Sequence, residues 1–388
     1  MIKFDFNGLR SQKEVKIQSD DFDFTRVQPN MDIILEIAGK YGNLKNLVLI
    51  ARGGSVSTFR AFWEGYGKYI SDKNVYFVDT VDPDYIFYVK DKCTPQDSLV
   101  ISISKSGITV DVLETVFAFS DFTQVVITSG DNNPLNGIAK EMGYDVIIHP
   151  EIGGRFSGLT EAGLFPSLLC GLDISEIRNG ALEGYNDFTS PANDVLTLSS
   201  VVKELSDKGY DQIFWPFYSK RLAAFSELAA QLINESVAKD GKGISTIIAE
   251  GPESQHYLNQ RFFGGPKNMF GLFTTVTSFN EEEKVIIPDN LQDLSLRDGR
   301  LGDLNGMNLA DSIKFELQGT FEETKNGNIP AVKIEVEKVD EFNLGYFTAF
   351  LQVFAVYLAK AFEVNPFDQP EVEGAKKISF EARKNYKK

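Results

Sequence analysis

SLVISISKSGIT, residues 98–109, joins an apolar run directly to a polar loop that contains one glycine. The run at 98–103 predicts a short buried strand, because it is too short for a helix and is bounded by turn-forming residues. After the loop, Val112, Val116 and Phe119 recur at helical spacing and predict a helix. A strand, a loop and a helix in this order are the repeating unit of a parallel sheet covered by helices.

The same unit recurs on both sides of this stretch. The predicted strands are, in chain order, 46–51, 74–79, 98–103, 124–128 and 145–148, then 212–215, 245–248, 269–275 and 331–336. This alternation predicts the α/β class, with doubly wound parallel sheets. Ser190 and Pro191 mark a linker near residue 187, so we predict two such domains in series, 1–187 and 188–388. We expect the polar N-terminal extension of the first domain, residues 1–30, to wrap over the surface, and the second to end in a helix.

Composition narrows the class of protein. The 388 residues include 39 Lys and Arg against 55 Asp and Glu, a formal net charge of −16. Such a surface repels nucleic acid and anionic membranes, so an anion would need a locally positive site. The two cysteines, Cys93 and Cys170, lie outside any metal-binding or disulfide pattern, and we expect both to be buried and inert. The N-terminus lacks the apolar stretch of a signal peptide, and no uninterrupted apolar run reaches the ~18 residues of a membrane helix, so we expect a cytoplasmic protein.

The loop after the strand at 98–103 is the first candidate site. Ser104, Lys105, Ser106 and Thr109 offer hydroxyl and ammonium donors, and Gly107 permits an unusual backbone angle. A helix N-terminus at the carboxyl end of a parallel strand favours an anion such as phosphate. An ordinary helix cap is the alternative, because serine and threonine are common there.

Two further glycine-containing loops could approach a ligand closely. Gly54 and Ser55, preceded by Arg52 and Gly53, follow the strand at 46–51, although they do not form a dinucleotide-binding motif. Arg155 follows two glycines at 153–154 and could stabilise a developing negative charge. A tight turn in the first case and a surface arginine in the second are the alternatives.

Candidate proton-transfer residues lie further along the chain. Glu235 falls at the edge of the apolar stripe of a helix predicted at 220–239, with Gln231 one turn before it. His256 could exchange a proton near neutral pH, and Lys376 precedes the C-terminal helix. The alternatives are a solvated helix flank for Glu235, a structural histidine for His256 and a solvated basic tail for Lys376.

The order of these motifs is more specific than any one of them. Gly-Gly-Ser, Ser-Lys-Ser-Gly-Ile-Thr, Gly-Gly-Arg-Phe-Ser, Gln-Leu-Ile-Asn-Glu-Ser, Glu-Ser-Gln-His and Gln-Pro-Glu-Val-Glu-Gly-Ala-Lys follow one another from about residue 45 to 380. In this order they resemble glucose-6-phosphate isomerases. The resemblance implies two sugar-isomerase (SIS) domains with a flavodoxin-like fold. It also implies an aldose–ketose isomerase of glycolysis and gluconeogenesis that works through a cis-enediol(ate).

The same resemblance implies a role for each candidate residue. Glu235 resembles the base, Arg155 the group that stabilises the enediolate, and His256 with Lys376 the groups that open the sugar ring. His256 would come from the other subunit of a homodimer. The resemblance implies no metal and no cofactor. The remaining residues are implied to bind the substrate: Gly54, Ser55, Ser104, Lys105, Ser106, Thr109, Gln231 and Gln369.

Some positions depart from the family pattern. The phosphate loop commonly reads Ser-Lys-Thr-x-Thr-Thr, whereas Ser106 and Ile108 stand here in place of two threonines. Arg52, Ala238 and Glu371 each replace a usual glycine. Two other functions stay open at this point, a non-catalytic sugar-phosphate sensor and an isomerase for another sugar phosphate.

Overall fold

The computed structural model describes residues 1–11, 13–18, 20–130 and 132–386. Its strands are β1 (Ile2–Asp5), β2 (Asn46–Ile50), β3 (Asn74–Val78), β4 (Ser98–Ile103), β5 (Thr123–Thr128), β6 (Asp145–Ile148), β7 (Gln212–Tyr218), β8 (Ser245–Glu250), β9 (Met269–Val276), β10 (Ser295–Leu296), β11 (Gly299–Arg300) and β12 (Ala331–Val336).

The α-helices surround these strands. They are α1 (Met31–Tyr41), α2 (Gly54–Phe62), α3 (Lys68–Ile70), α4 (Pro83–Lys92), α5 (Val110–Ala118), α6 (Pro134–Met142), α7 (Glu161–Leu169), α8 (Ile174–Phe188), α9 (Asp194–Asp207), α10 (Ser226–Val237), α11 (Leu258–Gly264), α12 (Leu309–Asn326), α13 (Glu341–Ala361) and α14 (Glu373–Lys384). The helix predicted at 220–239 is shorter than expected, because residues 222–225 form a 3₁₀ turn before α10 begins.

The first sheet has the strand order β3-β2-β4-β5-β6, and all its pairings are parallel. Taken in chain order, this is 2-1-3-4-5, the flavodoxin-like arrangement. Strands β2 and β4 are buried along their whole length, as expected for a sheet with helices on both faces. The predicted α/β class is confirmed.

The second sheet has the order β1-β12-β9-β7-β8. Its four C-terminal strands pair in parallel, and β1 joins the edge antiparallel to β12, with Phe4 opposite Ile334. The expectation that residues 1–30 only wrap the surface is therefore wrong for β1. The reason is that Phe4, on the inner face of this short strand, packs against Phe350 with a ring-centroid distance of 5.7 Å.

Helix α13 forms the centre of the core beside this sheet. Phe350 and Phe354 stack on the sheet side, and Gln352 accepts a hydrogen bond from the Tyr185 hydroxyl at 2.5 Å. Although the sequence has no uninterrupted apolar run of that length, α13 is long and apolar enough to cross a membrane by length and composition. It is almost completely buried inside the protein, which is the property of a core helix. Its few polar residues find internal partners.

Helices α8 and α13 cross at very short range. A Cβ on Gly180 would lie 1.9 Å from the carbonyl oxygen of Phe342, and a Cβ on Gly345 would lie 1.8 Å from that of Ile177. Glycine at both positions lets the two backbones touch, and this contact joins the end of the first half of the chain to the core of the second.

Both cysteines are buried, as predicted, and burial raises the pKa of each thiol, to about 11 for Cys93 and about 12 for Cys170.

Candidate active site

Two of the predicted loops lie at the same edge of the first sheet. Strands β2 and β4 are adjacent and parallel, with Ile50 opposite Ser102, so both end on the same side. The loop at 52–55 leads into α2 and the loop at 104–109 leads into α5. In open parallel sheets this carboxyl edge is where ligands bind.

The two glycines before α2 make room for residues from the rest of the site. Gly53 has a φ of +54°, and a Cβ there would lie 2.8 Å from Nε2 of Gln231. A Cβ on Gly54 would lie 2.3 Å from the backbone nitrogen of Arg155. A side chain at Gly54 would push the backbone of the Arg155 turn away, and one at Gly53 would displace the Gln231 amide, so glycine brings the predicted segments together.

Arg155 and Glu235 form the centre of the candidate site. Nη1 of Arg155 donates to Oε2 of Glu235 at 3.1 Å, and the side chains are 3% and 31% exposed, respectively. Nε donates to the Ser236 hydroxyl at 3.0 Å, and Nη2 donates to the carbonyls of Pro366 and Asp368 at 2.5 and 3.0 Å. Among the described residues these bonds use four of the five guanidinium N–H groups, which leaves one on Nη1 beside Glu235.

The electrostatics of this pair depend on its burial. Desolvation lowers the pKa of Arg155, and the negative charges of Glu235 and Asp368 act in the opposite direction. The guanidinium is thus a fixed positive charge in a water-poor place. Such a charge interacts more strongly with a nearby anion than an exposed one would.

Gln231 fixes the second oxygen of Glu235. Its Nε2 donates to Oε1 of Glu235 at 2.9 Å, and its Oε1 accepts from the Ser57 hydroxyl at 2.8 Å. Both carboxylate oxygens of Glu235 are therefore oriented, while a third of the side chain faces solvent. Ser57 was not among the predicted residues, because a single serine inside α2 gives no signal of its own in the sequence.

The loop at 104–109 closes on itself. Ser104 is buried, and its hydroxyl lies 2.9 Å from that of Thr109. Thr109 occupies the N-cap position of α5 but makes no side-chain bond to the helix backbone. Gly107 has a φ of +63°, and a Cβ there would lie 1.8 Å from Oδ1 of Asn133. Since Thr109 turns to Ser104, the first turn of α5 has no side-chain cap, which disfavours the simple capping interpretation.

Lys105 supplies the positive charge of this loop. Its Nζ lies 3.4 Å from Oε2 of Glu151, and about a third of its side chain is exposed. Ser106 and Ile108 are both exposed. The loop therefore presents one long cationic side chain, with the hydroxyls of Ser104 and Thr109 turned to each other. The backbone N–H groups of Ser104, Gly107 and Ile108 already donate within the protein.

Three predicted residues are not brought to the Arg155–Glu235 pair. His256 is exposed on the turn after β8, an edge strand of the second sheet. Lys376 is exposed on α14, where it pairs with Glu373 at 2.7 Å. Gln369 is exposed as well, although its neighbour Asp368 accepts from Arg155.

Other residues hold the segment that leads to Gln369. Lys239 is 3% exposed in its side chain, and its Nζ donates to the carbonyl and Oδ1 of Asp368 at 2.6 and 2.8 Å and to the carbonyl of Asn365. Together with Arg155, Lys239 thus fixes residues 365–368 against α10. The sequence gives a weak signal for Lys239, a lysine four residues after Glu235.

Two departures from the family pattern have a structural account. Arg52 does not enter the candidate site, because it pairs with Asp111 at 2.5 Å and donates to the carbonyl of Val78 at 2.9 Å, which ties β3 to α5. Ala238 has a φ of −84°, which needs no glycine.

Among the described residues no group of three or more His, Cys, Asp and Glu side chains could hold a metal ion.

Solved structures share this fold. A hypothetical protein from Thermus thermophilus is similar with a TM-score of 0.84 at 23% identity, over 94% of this chain and 90% of that one. A glucose-6-phosphate isomerase from Chlamydia trachomatis gives a TM-score of 0.72 at 19% identity, over 96% of this chain and 80% of that one. The fold is the one shared by the SIS-domain phosphosugar isomerases.

Sequence relatives define the family within this class. The chain is 30% identical over 373 residues to a probable glucose-6-phosphate isomerase from Methanococcus maripaludis, covering 91% of this chain and 82% of that protein. It is also 30% identical over 363 residues to a glucose-6-phosphate isomerase from Mycoplasma mycoides, covering 87% and 83%. The chain belongs to the glucose-6-phosphate isomerase family. No general model of a protein family matches it.

Proposed function

We propose that this chain interconverts glucose 6-phosphate and fructose 6-phosphate through a cis-enediol(ate), as a step of glycolysis and gluconeogenesis. The observation that carries the proposal is the Arg155–Glu235 pair, an oriented and partly open carboxylate beside a buried cation. The family membership of the chain supports the same substrate. A sensor that only binds a sugar phosphate would have no use for such a pair.

In the proposed reaction Glu235 moves a proton between neighbouring carbons. Its carboxylate takes the C2 proton of the open-chain aldose, and the electron pair forms the C1–C2 double bond while negative charge develops on O1. Glu235 returns the proton to C1, and the hydroxyl proton on O2 passes to O1, which leaves a carbonyl at C2. The free N–H on Nη1 of Arg155 would stabilise the enediolate oxygen.

The phosphate group would bind at the carboxyl edge of the first sheet. Its proposed donors in the loop at 104–109 are the Lys105 ammonium, the Ser106 hydroxyl and the backbone N–H groups of Lys105, Ser106 and Thr109. The neighbouring loop would add Ser55 and the close backbone of Gly54. Ser104 and Thr109 would shape the loop through their mutual hydrogen bond. This arrangement anchors the far end of the substrate while Glu235 acts at C1 and C2.

We propose that ring opening needs residues that do not lie at the site within a single, substrate-free subunit. His256 and Lys376 are exposed, and α14 has no buried residue. We propose a homodimer in which His256 of each chain serves the site of the other, and in which Lys376 and Gln369 meet the sugar when it binds. We propose no metal and no cofactor for the reaction.

We also propose the division of the chain near residue 187 and a cytoplasmic location. The two large sheets share no strand pairing, and their strands lie on either side of this point except for β1, which supports a division into 1–187 and 188–388. The reaction uses phosphorylated sugars, which are kept inside cells by their charge.

The decisive experiment measures turnover by the purified chain and by Glu235→Gln. Conversion of fructose 6-phosphate is followed with a glucose-6-phosphate dehydrogenase, and mannose and glucosamine phosphates are supplied in parallel. We expect the wild type to act on fructose 6-phosphate and, in heavy water, to place deuterium at C2 of the glucose 6-phosphate formed. Glu235→Gln keeps the size of the side chain, so we expect substrate binding to remain while kcat falls by at least about 10²-fold.

A matched control lies on the same helix. Glu227, in the first turn of α10, pairs with Arg60 at 2.7 Å and is about half exposed. Glu227→Gln should keep normal turnover, because loss of an exposed ion pair costs less than about 1 kcal/mol of stability. Near-normal turnover by Glu235→Gln would rule out Glu235 as the base, and a preference for another sugar phosphate would change the substrate.

A further inference from the structure

His149 is a buried titratable group that the proposed reaction does not use. It is one of two histidines in the chain and is 1% exposed. Its backbone nitrogen donates to the carbonyl of Thr128 at 2.9 Å, at the end of β5. The next residue, Ser129, donates through its hydroxyl to the carbonyl of Lys105 at 2.6 Å. His149 is thus attached to the loop proposed to bind phosphate.

The ring of His149 points the other way, toward the Arg155 turn. Nδ1 lies 2.7 Å from the carbonyl oxygen of Pro150, and Nε2 lies 3.2 Å from the hydroxyl of Ser157. That hydroxyl in turn donates to the carbonyl of Gly154 at 2.8 Å, one residue before Arg155. His149 therefore connects the phosphate loop with the backbone that carries the catalytic arginine.

The number of protons on the His149 ring decides which of these hydrogen bonds can form. A carbonyl can only accept, so Nδ1 must carry a proton, and in the neutral ring Nε2 then carries none. The single hydroxyl proton of Ser157 can go either to Nε2 or to the carbonyl of Gly154, but not to both. With a second proton on the ring, Nε2 donates to Ser157 and Ser157 donates to Gly154. The Gly154 carbonyl also accepts from the backbone N–H of Ser157 at 3.1 Å in either state, but only the charged ring makes both contacts of the Ser157 hydroxyl hydrogen bonds.

The surroundings favour the neutral form of the ring. Burial is the main cause that lowers the pKa of His149, and the charge of Lys105 lowers it further. The Pro150 carbonyl and the charge of Glu151 act in the opposite direction. Among the described residues, Lys105 and Glu151, which pair at 3.4 Å, are the charged groups that act on the ring. A phosphate dianion on Lys105 would reverse the sign of the charge on that side.

We propose that His149 is a positioning residue that takes up a proton when a phosphate group binds the loop at 104–109, and thereby completes the hydrogen bonds that fix Gly154 beside Arg155. The inference rests on the proposed function, because it assumes that this loop holds the substrate phosphate. In this proposal His149 and Ser157 couple the binding of the phosphate, at one end of the substrate, to the position of Arg155 at the other end. Because binding would take up a proton, affinity should fall as pH rises between the pKa of the free ring and that of the bound one.

The direct test measures the ring itself. With two histidines in the chain, the ring signals in a nuclear magnetic resonance titration are assigned by comparison with His256→Gln. Sulfate serves as the probe, because it stays a dianion over the whole pH range. We expect saturating sulfate to raise the pKa of His149 by about one unit. A pKa that stays the same at every sulfate concentration overturns the proposal.

The kinetic test uses variants with a matched control. In His149→Gln the amide can donate to Ser157 but cannot be protonated, so KM for fructose 6-phosphate should keep only the pH dependence that titration of the substrate phosphate causes, while kcat changes by no more than about twofold. Ser157→Ala should raise KM and reduce the response of the His149 pKa to sulfate. Ser167→Ala also removes a buried hydroxyl that donates to a backbone carbonyl, that of Gly163 at 2.7 Å, and should behave as wild type.

The outcomes separate this inference from the proposed function. If the wild type does not turn over fructose 6-phosphate but sulfate still raises the pKa of His149, the coupling stands and the function is wrong. If the wild type turns over normally and His149→Gln keeps the wild-type pH dependence of KM, the coupling is wrong. The titration needs no substitution at His149, so a variant that fails to fold does not prevent the test.

Discussion

Arg155 shows how one side chain can support the fold and also lie where the proposed chemistry needs it. It is almost fully buried, and it binds the carbonyls of Pro366 and Asp368 from the far end of the chain. The same guanidinium donates to Glu235. The planar fork of arginine supplies these directions at once, whereas a lysine ammonium has three donors on one atom.

We therefore predict that Arg155→Lys loses both activity and stability. Removing an oriented donor to a developing oxyanion costs about 10²- to 10³-fold in kcat, or roughly 3–4 kcal/mol. The carbonyl of Pro366 loses its donor, while that of Asp368 keeps its bond from Lys239, so the free energy of unfolding should also fall by about 1–3 kcal/mol. Steady-state kinetics and urea unfolding measure the two effects separately.

Arg178 offers the control for this prediction. It is also buried, and its described hydrogen bonds go to Leu159 at 3.1 Å and to Val27 and Gln28 at 3.4 Å, rather than to Glu235. Arg178→Lys should lose stability by a similar amount but keep its kcat below the unfolding transition. Equal losses of kcat in both variants would mean that Arg155 acts only through the fold.

Helices α8 and α13 support the Arg155 turn from the core of the protein. Gln352 on α13 donates to the carbonyl of Arg155 at 3.4 Å, and Tyr185 on α8 donates to Gln352. The close crossing at Gly180 and Gly345 fixes the distance between the two helices. A change in this distance would therefore reach the Arg155 turn through Gln352.

Glycine to alanine at this crossing should be strongly destabilising. In Gly345→Ala the new methyl would lie 1.8 Å from the carbonyl oxygen of Ile177, so the helices must separate. We expect the free energy of unfolding to fall by about 1–3 kcal/mol or more, the cost of overpacking a core. Thermal unfolding by circular dichroism measures it.

Gly319 provides the control for Gly345→Ala, because it is a helical glycine that is not in a close crossing. It lies on α12 and is exposed, and apart from its chain neighbours and the backbone of its own helix no described atom would lie within 4 Å of a new Cβ. Gly319→Ala should raise stability by about 0.5–1 kcal/mol, because alanine is the better helix former. If both variants lost stability equally, the close crossing would not be the cause at Gly345.

Helix α14 differs from the other elements. None of its residues is buried, although Ile378 and Phe380 are large and apolar, and its described link to the rest of the chain is the pair between Arg383 and Glu114 at 2.6 Å. A helix held this weakly can change position at little cost in free energy. This agrees with the proposal that Lys376 meets the sugar only when substrate binds.

The two halves of the molecule repeat one arrangement. Each large sheet has strands in the order 2-1-3-4 along its own part of the chain, and β6 occupies the fifth place in the first sheet. In the second sheet the fifth place belongs to β1, which comes from the opposite end of the chain and runs antiparallel. The site lies between the halves, since Arg155 precedes the proposed division and Glu235 follows it.

The proposed dimer can be tested by mixing inactive variants. Glu235→Gln and His256→Ala are each expected to form inactive homodimers. If His256 acts on the partner's site, a mixed dimer has one complete site, made from the Glu235 of one chain and the His256 of the other. Co-expression and random pairing should then restore about a quarter of the wild-type activity, because half of the dimers are mixed and each has one complete site of two.

Two results would contradict this arrangement. Activity that stays at the level of the separate variants would place His256 and Glu235 of one chain in the same site. A monomer in sedimentation at the assay concentration would exclude the dimer itself.

A second co-expression, of His256→Ala with Lys376→Ala, shows which chain supplies Lys376. Restored activity would mean that Lys376 and Glu235 of one chain serve the same site.

The local pattern predicted the parallel strands and the loops that follow them. Alternation of short apolar runs with helical spacing depends on neighbouring residues alone, so it can be read along the chain. The positions of Arg155, Gln231 and Glu235 could be predicted because their motifs follow one another in the order of a known family. The roles of His256, Lys376 and Gln369 stay predictions, because contacts within one chain do not test them.

By itself the sequence determined the α/β class, the carboxyl-edge loops, and the candidate residues Arg155 and Glu235. Only the tertiary structure decided that β1 joins the second sheet, that Ser57 and Lys239 support the site, and that His149 lies between the phosphate loop and Arg155. These contacts join residues far apart in the chain, and each depends on how whole helices and sheets pack. A strand of four residues, a lone serine or a lone histidine gives no periodic signal, so its place is set by its distant partners.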